Sequence, residues 1–144
     1  MNTWRESILE AVRTRLVAAG VAAGNVYRSR AEAFTRDELP AVVIKPGPER
    51  IDNSSGGVAV RRFLVHVEVH ARGTPADSIA DPVLAAVHLA LMADITLGGA
   101  IRRLSEEETR EPDWADGDDT AIMIATSYVA IYATPSADNT RLAN

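Results

Sequence analysis

Between Val58 and Arg72 the sequence VAVRRFLVHVEVHAR puts Phe63, Val65, Val67, Val69 and Ala71 on one parity and Arg62, Leu64, His66, Glu68 and His70 on the other. A period of two sustained over this length does not fit a helix, whose side chains repeat every 3.6 residues. It fits an extended strand with successive side chains on opposite sides. The segment predicts a long strand with one face in the core and the other facing water or a partner. The remaining chain must supply neighbours for that strand and a cover for its apolar face.

Two further runs supply neighbours. Leu39 to Lys45 is β-branched and lies between Pro40 and Pro46, which cannot donate to a ladder, so it reads as a buried strand ended by those prolines. In Thr120 to Thr134 both parities are largely apolar, which places that strand in the middle of a sheet or against a second subunit. Asn25 to Ser29 is a short candidate strand, and Arg30 to Glu38 has no period and reads as loop or helical turn. Gly47 to Gly57, with Asn53-Ser54-Ser55 and a Gly pair, has the composition of an exposed loop. Leu97-Gly98-Gly99 turns the chain into Ala100 to Leu104, and the acidic stretch Ser105 to Asp119 joins this to the last strand as an antiparallel hairpin.

Two helices can cover the sheet. Thr3-Trp4-Arg5-Glu6 has the pattern of a capping box, followed by the stripe Trp4, Ile8, Val12, Leu16 and Ala19 and by Gly20 as a left-handed stop. Asp81-Pro82 reads as the start of a second helix, with Val83, Val87, Ala90 and Leu91 on its stripe and an end near Met92 or Ala93. The expected fold class is α+β: a single domain over residues 1–134, with a mixed, mostly antiparallel β-sheet flanked by two main α-helices. Residues 135–144 are polar and aperiodic and read as a flexible C-terminal tail.

Composition narrows the function. A chain of 144 residues with 47% hydrophobic but only 5% aromatic residues makes one domain with an aliphatic core. It has no cysteine, hence no disulfide, thiolate metal site or cysteine nucleophile. No apolar run approaches the ~20 residues that cross a bilayer, and Arg5 and Glu6 stand where a signal peptide would be apolar. The net charge of −5 argues against general binding to nucleic acid or anionic membrane.

Catalytic and metal motifs find little support. His66 and His70 share a strand face but lie about 13 Å apart at strand rise, too far to share a metal, and His88 reads as a helix-surface residue. The acidic set Glu106, Glu107, Glu108, Glu111, Asp113, Asp116, Asp118 and Asp119 lacks the ligand spacing of an EF-hand. Gly56-Gly57 and Gly98-Gly99 are turns, and no G-x-S-x-G elbow occurs. Adjacent Arg61 and Arg62 face opposite sides of their strand. The expectation is a binding protein without a cofactor, not an enzyme.

Several segments, in their order along the chain, carry a resemblance: Val26-Tyr27-Arg28-Ser29-Arg30, Glu38-Leu39-Pro40-Ala41-Val42-Val43-Ile44, Asp81-Pro82-Val83-Leu84, His88-Leu89-Ala90-Leu91-Met92-Ala93-Asp94, Leu97-Gly98-Gly99 and Thr126 to Thr134. Together they resemble the tail terminator family of long-tailed bacteriophages, which includes the minor tail protein U of lambda-like phages. The resemblance implies a structural virion protein of the tail and neck, assembled in the bacterial host cytoplasm. It would form a self-assembled ring, usually sixfold, that caps the tail tube and prepares head–tail joining. Its partners would be further copies of itself, the tail tube protein and the head–tail connector protein, with no cofactor and no direct contact with nucleic acid or membrane. On this reading Arg62, His66, Glu68 and His70 form the subunit interface. Glu49, Arg50, Asp52 and Asn53, with Glu107, Glu108, Asp113, Trp114 and Asp116, contact tube or connector. The nearest rival is another connector, completion or tail tube subunit; a more distant one is a small-molecule-binding or enzymatic α+β domain, which needs a concave pocket with convergent polar groups.

Overall fold

The structure is a computed structural model that describes residues 1–115 and 118–143. Along the chain come α1 (Trp4–Ala18), β1 (Val26–Arg28), β2 (Ala41–Asp52), β3 (Val58–Arg72), α2 (Ala76–Met92), β4 (Arg103–Thr109), β5 (Asp113–Ala115) and β6 (Asp118–Pro135). They form one sheet in the order β1-β2-β3-β6-β4, with β5 also on β6. Only β1 is parallel to its neighbour; every other pairing is antiparallel. The fold class is α+β, a mixed, mostly antiparallel sheet with two main helices.

The parity read from β3 holds along its whole length. Phe63, Val65, Val67, Val69 and Ala71 are buried in a core with Val42 and Ile44 of β2, Ile122, Ile124, Tyr128, Ala130 and Tyr132 of β6, and Leu104 of β4. Both helices seal this side. From α1 come Ile8, Leu9, Val12 and Leu16, and from α2 Ala76, Ala80, Val83, Val87, Ala90 and Leu91. Fully burying a side chain such as Ile8 or Leu16 contributes about 1.5–3 kcal/mol, so the two stripes hold the helices to the sheet. β6 is flanked by β3 and β4, the mid-sheet position that its two apolar parities require.

The structure departs from the sequence reading at several element ends. Thr3 is the N-cap of α1 but makes no side-chain capping bond. Glu6, the other half of the expected box, instead accepts from the Arg28 guanidinium at 2.9 Å, so the ion pair outcompetes the box. Ala19, assigned to the stripe, is exposed, while Gly20 has the expected left-handed backbone at φ 71°. α2 starts at Ala76, earlier than Asp81-Pro82, because the buried Ala76 and Ala80 extend the stripe upstream; Pro82 sits inside the helix. Its ring leaves the Ser78 carbonyl without a helical donor, and Ser78 is exposed, where water can supply one.

The largest correction concerns Gly47 to Gly57 and Ser105 to Asp119. β2 runs on through Pro46 to Asp52, so most of the expected loop is one arm of a β-hairpin. The Val42 amide donates to Asn25 beside β1. Alternation therefore aims the Pro46 nitrogen at the same edge, beyond the end of β1, where no ladder bond is lost. In the acidic stretch, Ser105 to Thr109 and Asp113 to Ala115 are strand residues on β6 rather than a loop. Residues 136–143, read as a tail, lie along the body: Asn139 O accepts from Trp4 N at 2.8 Å and Ala133 O from Ala143 N at 2.9 Å.

A bulge between Pro46 and Glu49 lets β2 continue past its prolines. At its centre a Cβ on Gly47 would stand 2.9 Å from the Leu64 carbonyl oxygen and 2.5 Å from His66 Nε2. The backbone contact cannot give way without moving β3. Gly47→Ala should cost about 1–3 kcal/mol, the range for overpacking, read as a lowered urea midpoint with unchanged slope; a midpoint equal to wild type would show that the bulge has room.

Candidate functional site

Since both α-helices lie on one side, the opposite face of the sheet is the broad surface that neither of them covers. Strand register gives its composition row by row. Across one end run Asp52, Val60 and Ala133, and next to them Arg50, Arg62, Ile131 and Arg103; further along come Leu64, Val129 and Ser105, then Lys45, His66, Ser127 and Glu108; then Val43, Glu68 and Ala125; then Ala41, His70, Met123 and Asp113.

The middle rows are internally satisfied. His66 Nδ1 shares a 2.7 Å hydrogen bond with Ser127 Oγ. Its pKa is lowered, first by burial and then by the positive charge of Arg110, which favours the neutral ring. The Glu68 carboxylate accepts from the Lys45 ammonium at 3.1 Å and pairs with His70 Nε2 at 3.0 Å. Those contacts, the His70 hydrogen bond foremost, hold its pKa below the usual carboxylate value. Phe34 covers His70 with ring centroids 5.0 Å apart, and the Arg30 guanidinium lies over Phe34 at 4.2 Å. A bidentate ion pair between Arg30 and Glu38 fixes that guanidinium and lowers the Glu38 pKa to about 2. The residues 30–38 thus form a lid over one corner of the face.

The arginine row differs. Arg50, Arg62 and Arg103 are all exposed, and none has an ion-pair partner among the described residues. Their neighbours of opposite parity, Glu49 and Arg61, point to the helix side and are buried there. Arg61 donates to Glu49 at 2.9 Å and to Thr134 Oγ1 at 3.0 Å, and the Tyr132 hydroxyl donates to the same Glu49 carboxylate. Burial, with that hydrogen bond, raises the Tyr132 pKa and keeps the phenol protonated.

The sheet edge beside the face is acidic. Glu107 and Glu108 of β4 and the following Glu111 are exposed, whereas Glu106 points to the helix side and lies 3.6 Å from His88 Nδ1. His88 also shares a 3.2 Å hydrogen bond with the Tyr128 hydroxyl, which makes it a link between α2 and β6. Trp114 on β5 is 41% exposed, above a groove shared with His70 and Asp113. Among the described residues no group of three His, Asp or Glu side chains stands at metal-binding distance, and no helix is long and apolar enough to cross a membrane.

No family model matches the sequence, and no curated protein matches it significantly. Among solved structures, a chain described as "Virion of native gene transfer agent (GTA) particle" is similar with a TM-score of 0.43 and 18% identity, over 88% of this chain and 95% of that one.

The structure distributes the expected contact residues unevenly. Arg62, His66, Glu68 and His70 share one face, as their parity requires, but only Arg62 has its charge unengaged. Arg50 is on that face and exposed, while Glu49 is on the other, its side chain 7% exposed and paired with Arg61, so its carboxylate is not available for tube or connector contact. Asp52 and Asn53 are exposed at the hairpin turn; Asp52 Oδ1 accepts from Ser54 N and Asn53 Oδ1 from Ser136 Oγ. Glu107, Glu108, Asp113 and Trp114 are exposed on the β4–β5 edge. Asp116 lies outside the described residues, as do the side chains of Asp118 and Asp119. Arg103 escaped the sequence reading because its parity depends on the β4–β6 register, which sequence does not print.

Removing one partner from a buried ion pair leaves the other charge desolvated and costs about 3–5 kcal/mol. Glu49→Ala should therefore destabilise by about that amount in equilibrium denaturation, with Arg61→Met in the same chain recovering part of the loss. A loss under about 1 kcal/mol, the surface-pair range, would mean that water reaches the pair.

Proposed function

We propose that this chain is a structural virion protein that ends the phage tail tube as a ring, stops tail growth and prepares the tail for its head. The observation that carries this reading is the division of the sheet into two unlike faces. One is sealed by helices around an aliphatic core, and the other is broad, carries charged rows, is covered by residues 30–38 at one corner and is bordered by an acidic edge strand. A rigid platform of this kind suits assembly by surface contact.

The residues that resemble the tail terminator family fall on parts that build the platform. Val26–Arg28 is edge strand β1, Ala41–Ile44 the start of β2, Asp81–Leu84 and His88–Met92 the middle and end of α2, and Thr126–Thr134 most of central strand β6. In a ring cap each copy needs two unlike surfaces for its neighbours and separate surfaces for tube and connector. The hairpin turn at Asn53 to Gly57 and the Asp113–Trp114 edge, which project from the sheet margins, serve as tube and connector contacts in this reading.

Electron microscopy of tails from a phage or induced prophage lacking this gene, with complementation as control, tests the function. Tails running well past normal length are the expected outcome. Tails of normal length without heads would reassign the chain to the connector, and unaltered virions would overturn the phage reading.

A further inference from the structure

The row Arg50, Arg62, Ile131 and Arg103 holds like charges that nothing in the described chain neutralises. Neighbouring strands lie about 4.8 Å apart, so Arg50 and Arg62 stand side by side, with Arg103 about 10 Å beyond Arg62. Like charges directly opposite each other weaken a strand pair. Arg50 faces Arg62 in direct register, and Asp52, the next acid along β2, is occupied by the turn through its 2.8 Å bond from Ser54 N. On the helix side of the same strands, by contrast, Glu49 neutralises Arg61.

The same molecule carries the complementary charge elsewhere. Glu107, Glu108 and Glu111 are exposed along the outer edge of the sheet and have no cationic partner among the described residues. β4 pairs with β6 on one side only; on its other edge Leu104 N donates to Ile95 O at 2.7 Å, and among the described residues no strand pairs with the acidic part that follows. Acidic side chains on an edge strand repel another acidic edge. They leave it free to meet a cationic surface.

We infer that a second copy of this chain docks through its acidic β4 edge onto the arginine row of the first. Naming a second copy as the partner rests on the reading of the chain as an assembly subunit. Opposite charges meet either in a reciprocal twofold contact, each copy's acidic edge on the other's arginine row, or in a head-to-tail contact, which closes into a ring or extends into a filament according to the rotation between copies. Ile131, half-buried between Arg62 and Arg103, gives the contact an apolar floor. A polyanion such as nucleic acid is the other occupant that arginines accept, but a body with net charge −5 repels it.

Charge reversal with sedimentation velocity tests the contact. One variant carries Arg50→Glu, Arg62→Glu and Arg103→Glu, a second Glu107→Lys, Glu108→Lys and Glu111→Lys, and a third all six; every site is exposed, and matched circular dichroism and melting establish that each variant folds. The wild type should associate at about 0.05 M salt and dissociate towards about 0.5 M, as the Debye length contracts. Each triple variant should lose at least about tenfold in self-affinity, since like charges are now juxtaposed. The sixfold variant should recover association, which general damage to the surface cannot explain.

A wild type that stays monomeric to its solubility limit overturns the inference, as does association unchanged in either triple variant or unrecovered in the sixfold one. Binding of duplex DNA that is lost in the arginine variant, without self-association, would reassign the row to a polyanion. Because these measurements use purified chain, they can fail while the tail-length result stands, and the reverse.

Discussion

The unbroken pairing of β3 with β6 organises the molecule. It runs in register from Val58 opposite Pro135 to Arg72 opposite Ala121, and it converts two parities of sequence into two faces of one sheet. With β2 added on one side and β4 on the other, register assigns a face to the described residues of these strands outside the bulges in β2 and β4. The helices then have only one place to go, because the large apolar side chains gather on one side: Phe63, Tyr128 and Tyr132 with the valines and isoleucines around them. β6 remains apolar on both sides because Ala125 and Val129, facing away from the helices, still lie between flanking strands and are almost fully buried.

Parity also sorts the charges into two regimes. Glu49 and Arg61 fall on the helix side, where an unpaired charge would carry a desolvation penalty of several kcal/mol, and there the structure supplies a partner, a hydroxyl and a phenol. Arg50 and Arg62, one residue along, fall on the wet side, where high dielectric makes an unpaired arginine cheap. The same solvent makes the local cost of juxtaposing them small, so stability does not dictate the residues in that row. Selection for a contact can act there without disturbing the core, whereas at Glu49 and Arg61 it cannot.

How much was legible in the sequence depends on whether the signal was local. The alternation of residues 58–72, the double apolar parity of 120–134, the stripe of α1 and the Leu97-Gly98-Gly99 turn are local patterns with one physical solution. The extension of β2 past Pro46 was hidden because a proline ends a strand only when its missing N–H is needed, and that depends on where β1 stops. The early start of α2 was hidden because Asp81-Pro82 satisfies the rules for a helix start, while the opposing evidence, the full burial of Ala76 and Ala80, exists only in the tertiary structure. The acidic strand β4 reads as solvated loop because an edge strand can carry charge on one side and still complete its ladder on the other. Of the candidate surface, the β3 contribution was readable from parity alone; the alignment of Arg50 and Arg103 with Arg62 required the registers of two neighbouring strands.

The central pair has a cost in time. β3 leaves its synthesis complete and paired with β2 as a hairpin, but its other edge stays open until β6 has been made, after α2 and the whole of β4 and β5. During that interval a valine-rich strand is exposed on an unsatisfied edge, the condition under which chains pair with the wrong neighbour. Long-range antiparallel closure of this kind is also slow. The chain is thus most exposed to misassociation before its last strand appears, and charges such as those of Arg62 and Glu68, set among the valines of β3, are of the kind that disfavours pairing with another apolar strand in that window.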